Sequence, residues 1–154
     1  LAWQATDALT LAADWQYIAY SDVKSVGNDL SLAAPLGADN GAGFGWDDIN
    51  VYKVGAEYAL NSEFSLRAGY SYADQPIKKD QTFMNILAPG VIQEHLSLGG
   101  SWNVNDTNSL SVAYTHAFEQ TVKGRNSIPA QFGGGEADLT MDQDLLAISW
   151  GLSF

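Results

Sequence analysis

Two histidines, many serines and a few grouped carboxylates are the residues here whose chemistry could exceed a structural role. An imidazole within hydrogen-bond reach of a hydroxyl activates it, so His95 or His116 beside a serine could serve a hydrolase. The alternation around them speaks against it. His95 falls in one phase of a two-residue repeat and His116 in the other, which sends them to opposite faces of a strand pair. The same repeat explains the serines, as members of a small, hydroxyl-rich face. Glu136, Asp138, Asp142 and Asp144 could offer oxygen ligands to calcium, yet they lack the glycine and glutamate spacing of a helix–loop–helix calcium site. They predict a solvated acidic rim. Gly133-Gly134-Gly135 could cradle a phosphate, but no lysine and no helix follow it. The absence of cysteine removes disulfides, thiolate metal sites and thiol nucleophiles together. No catalytic residue, metal site or cofactor is expected.

The elements that carry these residues are strands. Leu9, Leu11, Ala13, Trp15 and Tyr17 alternate with Thr10, Ala12, Asp14 and Gln16. The pattern returns with Tyr52, Val54, Ala56, Tyr58 and Leu60 against Lys53, Gly55 and Glu57, then with Phe64, Leu66, Ala68, Tyr70 and Tyr72 against Ser65, Arg67, Gly69 and Ser71. Three further runs centre on Leu98, Val112 and Ile148. No 3.6 period lasts three turns, so helices are confined to short loop pieces. The chain has 154 residues, which suits one domain, and 46% hydrophobic residues against 16% charged, which excludes disorder. Seven basic residues among eighteen acidic ones, a net charge of −11, exclude a nucleic-acid binder. The sequence starts without methionine, inside a patterned segment, and predicts a mature or truncated piece of something longer.

Connections alternate in length. Short joins are expected near 6–8, 61–63 and 105–107, and long ones, rich in Gly, Asn, Pro and charge, over 24–45, 74–91 and 119–141. A soluble sandwich has no reason to place all short turns at one end, whereas an outer-membrane barrel does. A ten-step strand is about 33 Å long at ~3.3 Å per residue. Tilted by ~40° it spans about 25 Å, the height of the apolar band of such barrels. Tyr72, Trp102, Phe118 and Phe154 stand where interfacial aromatics belong. The expectation is all-β: six full antiparallel transmembrane strands and a stub at 1–5, in the outer membrane of a Gram-negative bacterium.

The residues also resemble a known family. Trp46-Asp47-Asp48 through Lys53-Val54-Gly55-Ala56-Glu57-Tyr58, then Leu66-Arg67-Ala68-Gly69-Tyr70 and Gln75-Pro76-Ile77, are similar to the C-terminal region of the FadL/TodX long-chain fatty-acid transporters. So are Ala13-Asp14-Trp15-Gln16-Tyr17, Asn85-Ile86-Leu87-Ala88-Pro89-Gly90-Val91 and the ending Ile148 to Phe154, with Glu94-His95 where other members often carry Asp-Arg. The resemblance implies a fourteen-stranded barrel plugged by an N-terminal hatch, with passive uptake of hydrophobic molecules. Residues 1–154 would be the C-terminal part of that one barrel domain, with the N-terminal half and hatch outside this sequence. Seven strands alone leave two open edges that lipid cannot satisfy.

Within that frame the lumenal charges are Asp14, Lys53, Glu57 and Arg67. A three-residue turn at 61–63 sets Glu57 opposite Arg67, predicting a structural pair. Arg67 and Lys53 are also the candidate contacts for a ligand carboxylate. Phe44, Trp46, Phe83 and Leu87, with Met84 and Ile86, are candidate greasy loop contacts. Trp150, Leu152 and Phe154 match a terminal signal read by the barrel-assembly machinery. Expected partners are outer-membrane lipid, lipopolysaccharide with its divalent ions, and fatty acids or detergent-like amphiphiles. The competing functions are an adhesive or receptor barrel without transport, and a polar-solute porin, for which four lumenal charges are too few.

Overall fold

Each alternating segment forms a strand in the computed structural model, which describes residues 1–32, 34–35 and 37–153. β1 (Ala2–Gln4), β2 (Leu9–Ile18), β3 (Ile49–Ala59), β4 (Phe64–Ala73), β5 (Glu94–Asn105), β6 (Asn108–Val122) and β7 (Leu139–Leu152) make one sheet. They pair antiparallel, neighbour to neighbour, in chain order. No helix among the described residues is long and apolar enough to cross a membrane. Helix is limited to single turns in the loops, among them α1 (Lys24–Gly27) and α2 (Thr82–Asn85).

Each short turn is closed by a side chain at its start. Thr6 Oγ1 accepts the backbone N–H of Ala8 and Leu9. Asn61 Oδ1 accepts those of Glu63 and Phe64, and Asn105 Oδ1 those of Thr107 and Asn108. Such local bonds are why Asn and Thr nucleate tight turns, and they fix the register of the strands they join. Tyr58 faces Leu66, Trp102 faces Leu110 and Leu98 faces Tyr114, so the apolar phases of all strands share one face, as the alternation predicts.

Among the described residues no second sheet lies against that apolar face. Trp102 stacks on Phe64 at 5.7 Å and stays 40% exposed, while Leu98 is 54% exposed and Ile148 69%. In water each such side chain would forgo about 1.5–3 kcal/mol of burial; against hydrocarbon it forgoes nothing. Trp indoles mark both ends of the band, Trp15 Nε1 donating to Asn50 and Trp150 Nε1 to Asn108. The buried apolar cluster, Ile77, Val91, Val122 and Leu139 with Trp46 and Met141 packed on it, lies instead at the loop end.

Two expectations are corrected. The third long connection is 123–138, not 119–141, because β6 and β7 run on past a bulge. Ala117 pairs with Gln143 and Gln120 with Met141, so two residues of β6, Phe118 and Glu119, oppose Asp142 alone. The extra residue inverts the phase of β6, which turns Val122 inward onto Leu139. Asp142 and Asp144 therefore belong to β7 rather than to a loop rim, and Asp144 sits on the apolar face, accepting from Tyr114 Oη and 2.8 Å from His116 Nδ1.

Arginine at Leu98, mid-strand on the apolar face, is expected to cost about 2–4 kcal/mol in lipid, and arginine at Ser97 on the opposite face little. Denaturant unfolding of the lipid-embedded protein measures both, and equal costs would reverse the assignment of faces.

Candidate functional site

The opposite face carries the charges, and the register brings them together in rows. Glu57 is the cross-strand partner of Arg67. Arg67 Nε donates to Glu57 Oε2 at 2.5 Å and its Nη1 to Ser101 Oγ at 2.6 Å. Ser101 Oγ lies 2.7 Å from Ser111 Oγ, so a bonded chain crosses four strands from β3 to β6. Nearer the loops, Lys53 pairs with Asp14 on β2, Nζ to Oδ2 3.8 Å. Both ion pairs are about half exposed, so each contributes only a few tenths to ~1 kcal/mol to stability. Their effect is to occupy the charges.

Between the two ion pairs lies a row without side chains. Gly55 faces Gly69. A Cβ added at either would meet only a backbone oxygen at ordinary contact distance, Ala68 O at 3.5 Å or Val54 O at 3.6 Å. The space these glycines leave is therefore open, not demanded by the backbone. Ser97 and Thr115 continue the row with hydroxyls 2.8 Å apart.

At the loop end the same face becomes apolar. A cavity of about 340 Å³ is lined by Ile49, Val51, Ala73, Met141, Trp46 and His95, with Asp74 and Gln143 at its polar edge. Trp46 is held by its indole, which donates to Asn85 Oδ1, and packs edge-on against Tyr20 at 4.9 Å. Asn85 is fully buried, and its amide donates to Phe44 O and Gln81 O. Two carboxylates tie the loops to the strand tops. Hydrogen bonds from the Ser21 backbone and the Tyr17 hydroxyl hold the Asp48 carboxyl below its usual range. The Asn50 backbone and side chain do the same for Asp74.

Over residues 1–154 the sequence matches the family described as outer membrane protein transport protein (OMPP1/FadL/TodX). The chain belongs to this family. Alkane uptake protein A of Marinobacter nauticus is 25% identical over 116 residues, 74% of this chain and 26% of that protein. A Pseudomonas aeruginosa FadL homologue superposes with TM-score 0.73 at 17% identity, over 98% of this chain and 34% of the other. The Pseudomonas putida toluene transporter TodX gives 0.62 at 20% identity, over 99% and 33%. The chain thus spans about a quarter of the curated relative and a third of each structure. Its sheet is a portion of an outer-membrane β-barrel of the FadL/TodX type, with the apolar face toward lipid and the charged face toward the lumen.

Among the expected site residues, Arg67 and Glu57 meet as predicted and Lys53 meets Asp14. Phe44 and Trp46 pack together at 6.3 Å, whereas Phe83 packs on Phe132 at 5.2 Å and Leu87 is exposed. The six candidates do not form one site; Trp46 alone lines the cavity. His95 lies in the lumen with Ser71 Oγ at 3.4 Å and His116 on the lipid face, as their phases require. Trp150 and Leu152 face lipid, and Phe154 lies outside the described residues. No group of three metal-ligating side chains occurs among the described residues, and Asp138 accepts from Gly124 N instead. Sequence reasoning missed Val51, Ala73 and Met141, whose only signal is an apolar residue in the otherwise polar phase near a strand's loop end.

Asn85→Ala is expected to loosen the loop cap, because it orphans the Trp46 indole and two carbonyls at roughly 1–3 kcal/mol per buried unsatisfied group. Faster proteolysis within 24–48 and 78–90, with the strands still protected, is the readout. Asp48 and Asp74, depressed when folded, support the loops above the ordinary carboxylate range and lose that support as pH falls through their lowered values. Loop cleavage should accordingly accelerate in acid in the wild type and be less pH-dependent in Asp48→Asn/Asp74→Asn.

Proposed function

We propose that the complete protein is a passive outer-membrane channel for hydrophobic compounds, long-chain fatty acids or others of that class. One observation carries this: an apolar cavity under the loops opens onto a lumen wall of glycine and hydroxyl rows whose fixed charges neutralise one another. An apolar chain gains about 25 cal/mol per Å² on entering such a cavity. It then meets little on the wall below that would hold it, as a passage requires. Names among the relatives, alkane uptake and toluene transport, point to the same chemical class. No step needs a nucleophile or a metal. These residues would be the C-terminal part of the barrel, completed by an N-terminal part that also supplies the plug. Lipid and lipopolysaccharide would surround it, and the assembly machinery would read Trp150, Leu152 and Phe154.

Cells lacking their own transporter should take up labelled long-chain hydrophobic probes faster when they express the full-length gene. Ala73→Trp, which fills the cavity from the strand beneath it, should lower that uptake several-fold without lowering the amount of folded protein in the outer membrane. Equal uptake with and without the gene would refute the channel.

A further inference from the structure

We infer that the wall built by these strands favours uncharged hydrocarbons over carboxylates, a statement of substrate class that rests on the channel function proposed above. Lys53 and Arg67 are the cations of the described lumenal face, and each is ion-paired with a carboxylate of the neighbouring strand, Arg67 through a hydrogen bond and Lys53 at 3.8 Å. Arg67 is engaged twice, at Nε by Glu57 and at Nη1 by Ser101. An incoming carboxylate must displace a partner that is covalently tethered beside the cation. Tethering presents that partner at an effective concentration of roughly millimolar or more, far above the free concentration of a sparingly soluble amphiphile.

The entrance adds a second, independent barrier. The cavity lining contains neither Lys nor Arg, and its fixed charge is Asp74, an anion. His95 is the one other ionisable side chain on the lumenal side of that lining; it faces Ser71 on β4, with the Asp14–Lys53 pair in the same row beyond and Gln143 on β7. Above the cavity, the loop 19–48 carries Asp22, Asp29, Asp39, Asp47 and Asp48 against Lys24 alone. Of the two lysines in the next loop, Lys78 is bonded to Asp47 at 2.8 Å. Counting Lys78, Lys79, Lys123 and Arg125, the three loops 19–48, 74–93 and 123–138 hold nine carboxylates against five cations, and that excess disfavours anions at the mouth. An alkane or an alkylbenzene meets none of these barriers and keeps the whole apolar gain.

The test compares hexadecane with palmitate, which share a chain length and differ in the head group, in uptake by cells expressing the full-length protein. Hexadecane uptake should rise over the empty-vector control by more than palmitate uptake does. Palmitate rising as much or more overturns the inference while leaving the channel standing; neither rising refutes the channel itself. Glu57→Gln releases Arg67 from its partner and Asp14→Asn releases Lys53. Each should raise the palmitate-to-hexadecane ratio by roughly two- to fivefold, the worth of an exposed ion pair. Folded protein in the membrane fraction is measured for each, and two folded variants with an unchanged ratio would overturn the role given to the ion pairs.

Discussion

A backbone amide in hydrocarbon has no water to bond, and the architecture follows from that constraint. Each strand must give its N–H and C=O groups to a neighbour along its whole membrane-crossing length, which is why β2 to β7 pair without gaps over most of their residues. Continuous pairing locks the register, and locked register decides which side chains see lipid and which see the lumen. A slip of one residue would send Leu98 and Tyr114 into the channel and Arg67 into hydrocarbon. The ion pairs, the glycine row and the cavity are consequences of the same ladder. Little packing energy holds them: the well-buried apolar cluster is confined to the loop end.

Much of this was legible because period two is a local signal. The three short turns could be read from Thr6, Asn61 and Asn105, whose side chains close them, and once a turn length is set the partners follow by counting. Glu57 opposite Arg67 is such a count. What escaped was non-local or broke the period. In the sequence the apolar phase ends at Phe118 as a strand entering a loop would, because Gln120 and Thr121 are polar in both phases; the bulge has exchanged the phases and the strand continues to Val122. Asp142 and Asp144 hid the start of β7 for a related reason. A carboxylate on the lipid face reads as loop until its partners, Tyr114 and His116, are known. The cavity was illegible in principle, since it joins Trp46, Ala73, His95 and Met141 through loop folding that no window of sequence contains.

The bulge links these two levels. Without the extra residue, Val122 would point to lipid and the cluster with Ile77, Val91 and Leu139 could not form. That cluster holds the connection 74–93 against the strands, with the Gln93–Gln120 bond at 2.7 Å fastening it from the side. Trp46, packed on the same cluster, then roofs the cavity. A single inserted residue thus converts a uniform wall into one with an apolar chamber at its outer end. The residue before Trp46 is Gly45, at φ +67, where the Gln81 side chain approaches so closely that no other residue could be placed without moving it.

Strand parity constrains what completes the barrel. In an antiparallel meander of seven strands, β1 and β7 run the same way. Joining β7 of one such sheet to β1 of another copy would make a parallel pair, so two copies of this sheet cannot close into an antiparallel barrel. An even-numbered barrel requires an odd number of further strands between these edges. The edges cannot stay bare in lipid, because each unpaired amide there costs several kcal/mol. Whatever odd set of strands fills the gap bounds the same passage as the wall at Gly55 and Gly69. The surface of the lumen is therefore shared between the two parts. On the lumenal face described here Lys53 and Arg67 are both paired with carboxylates, so these strands leave neither cation unpartnered along the wall.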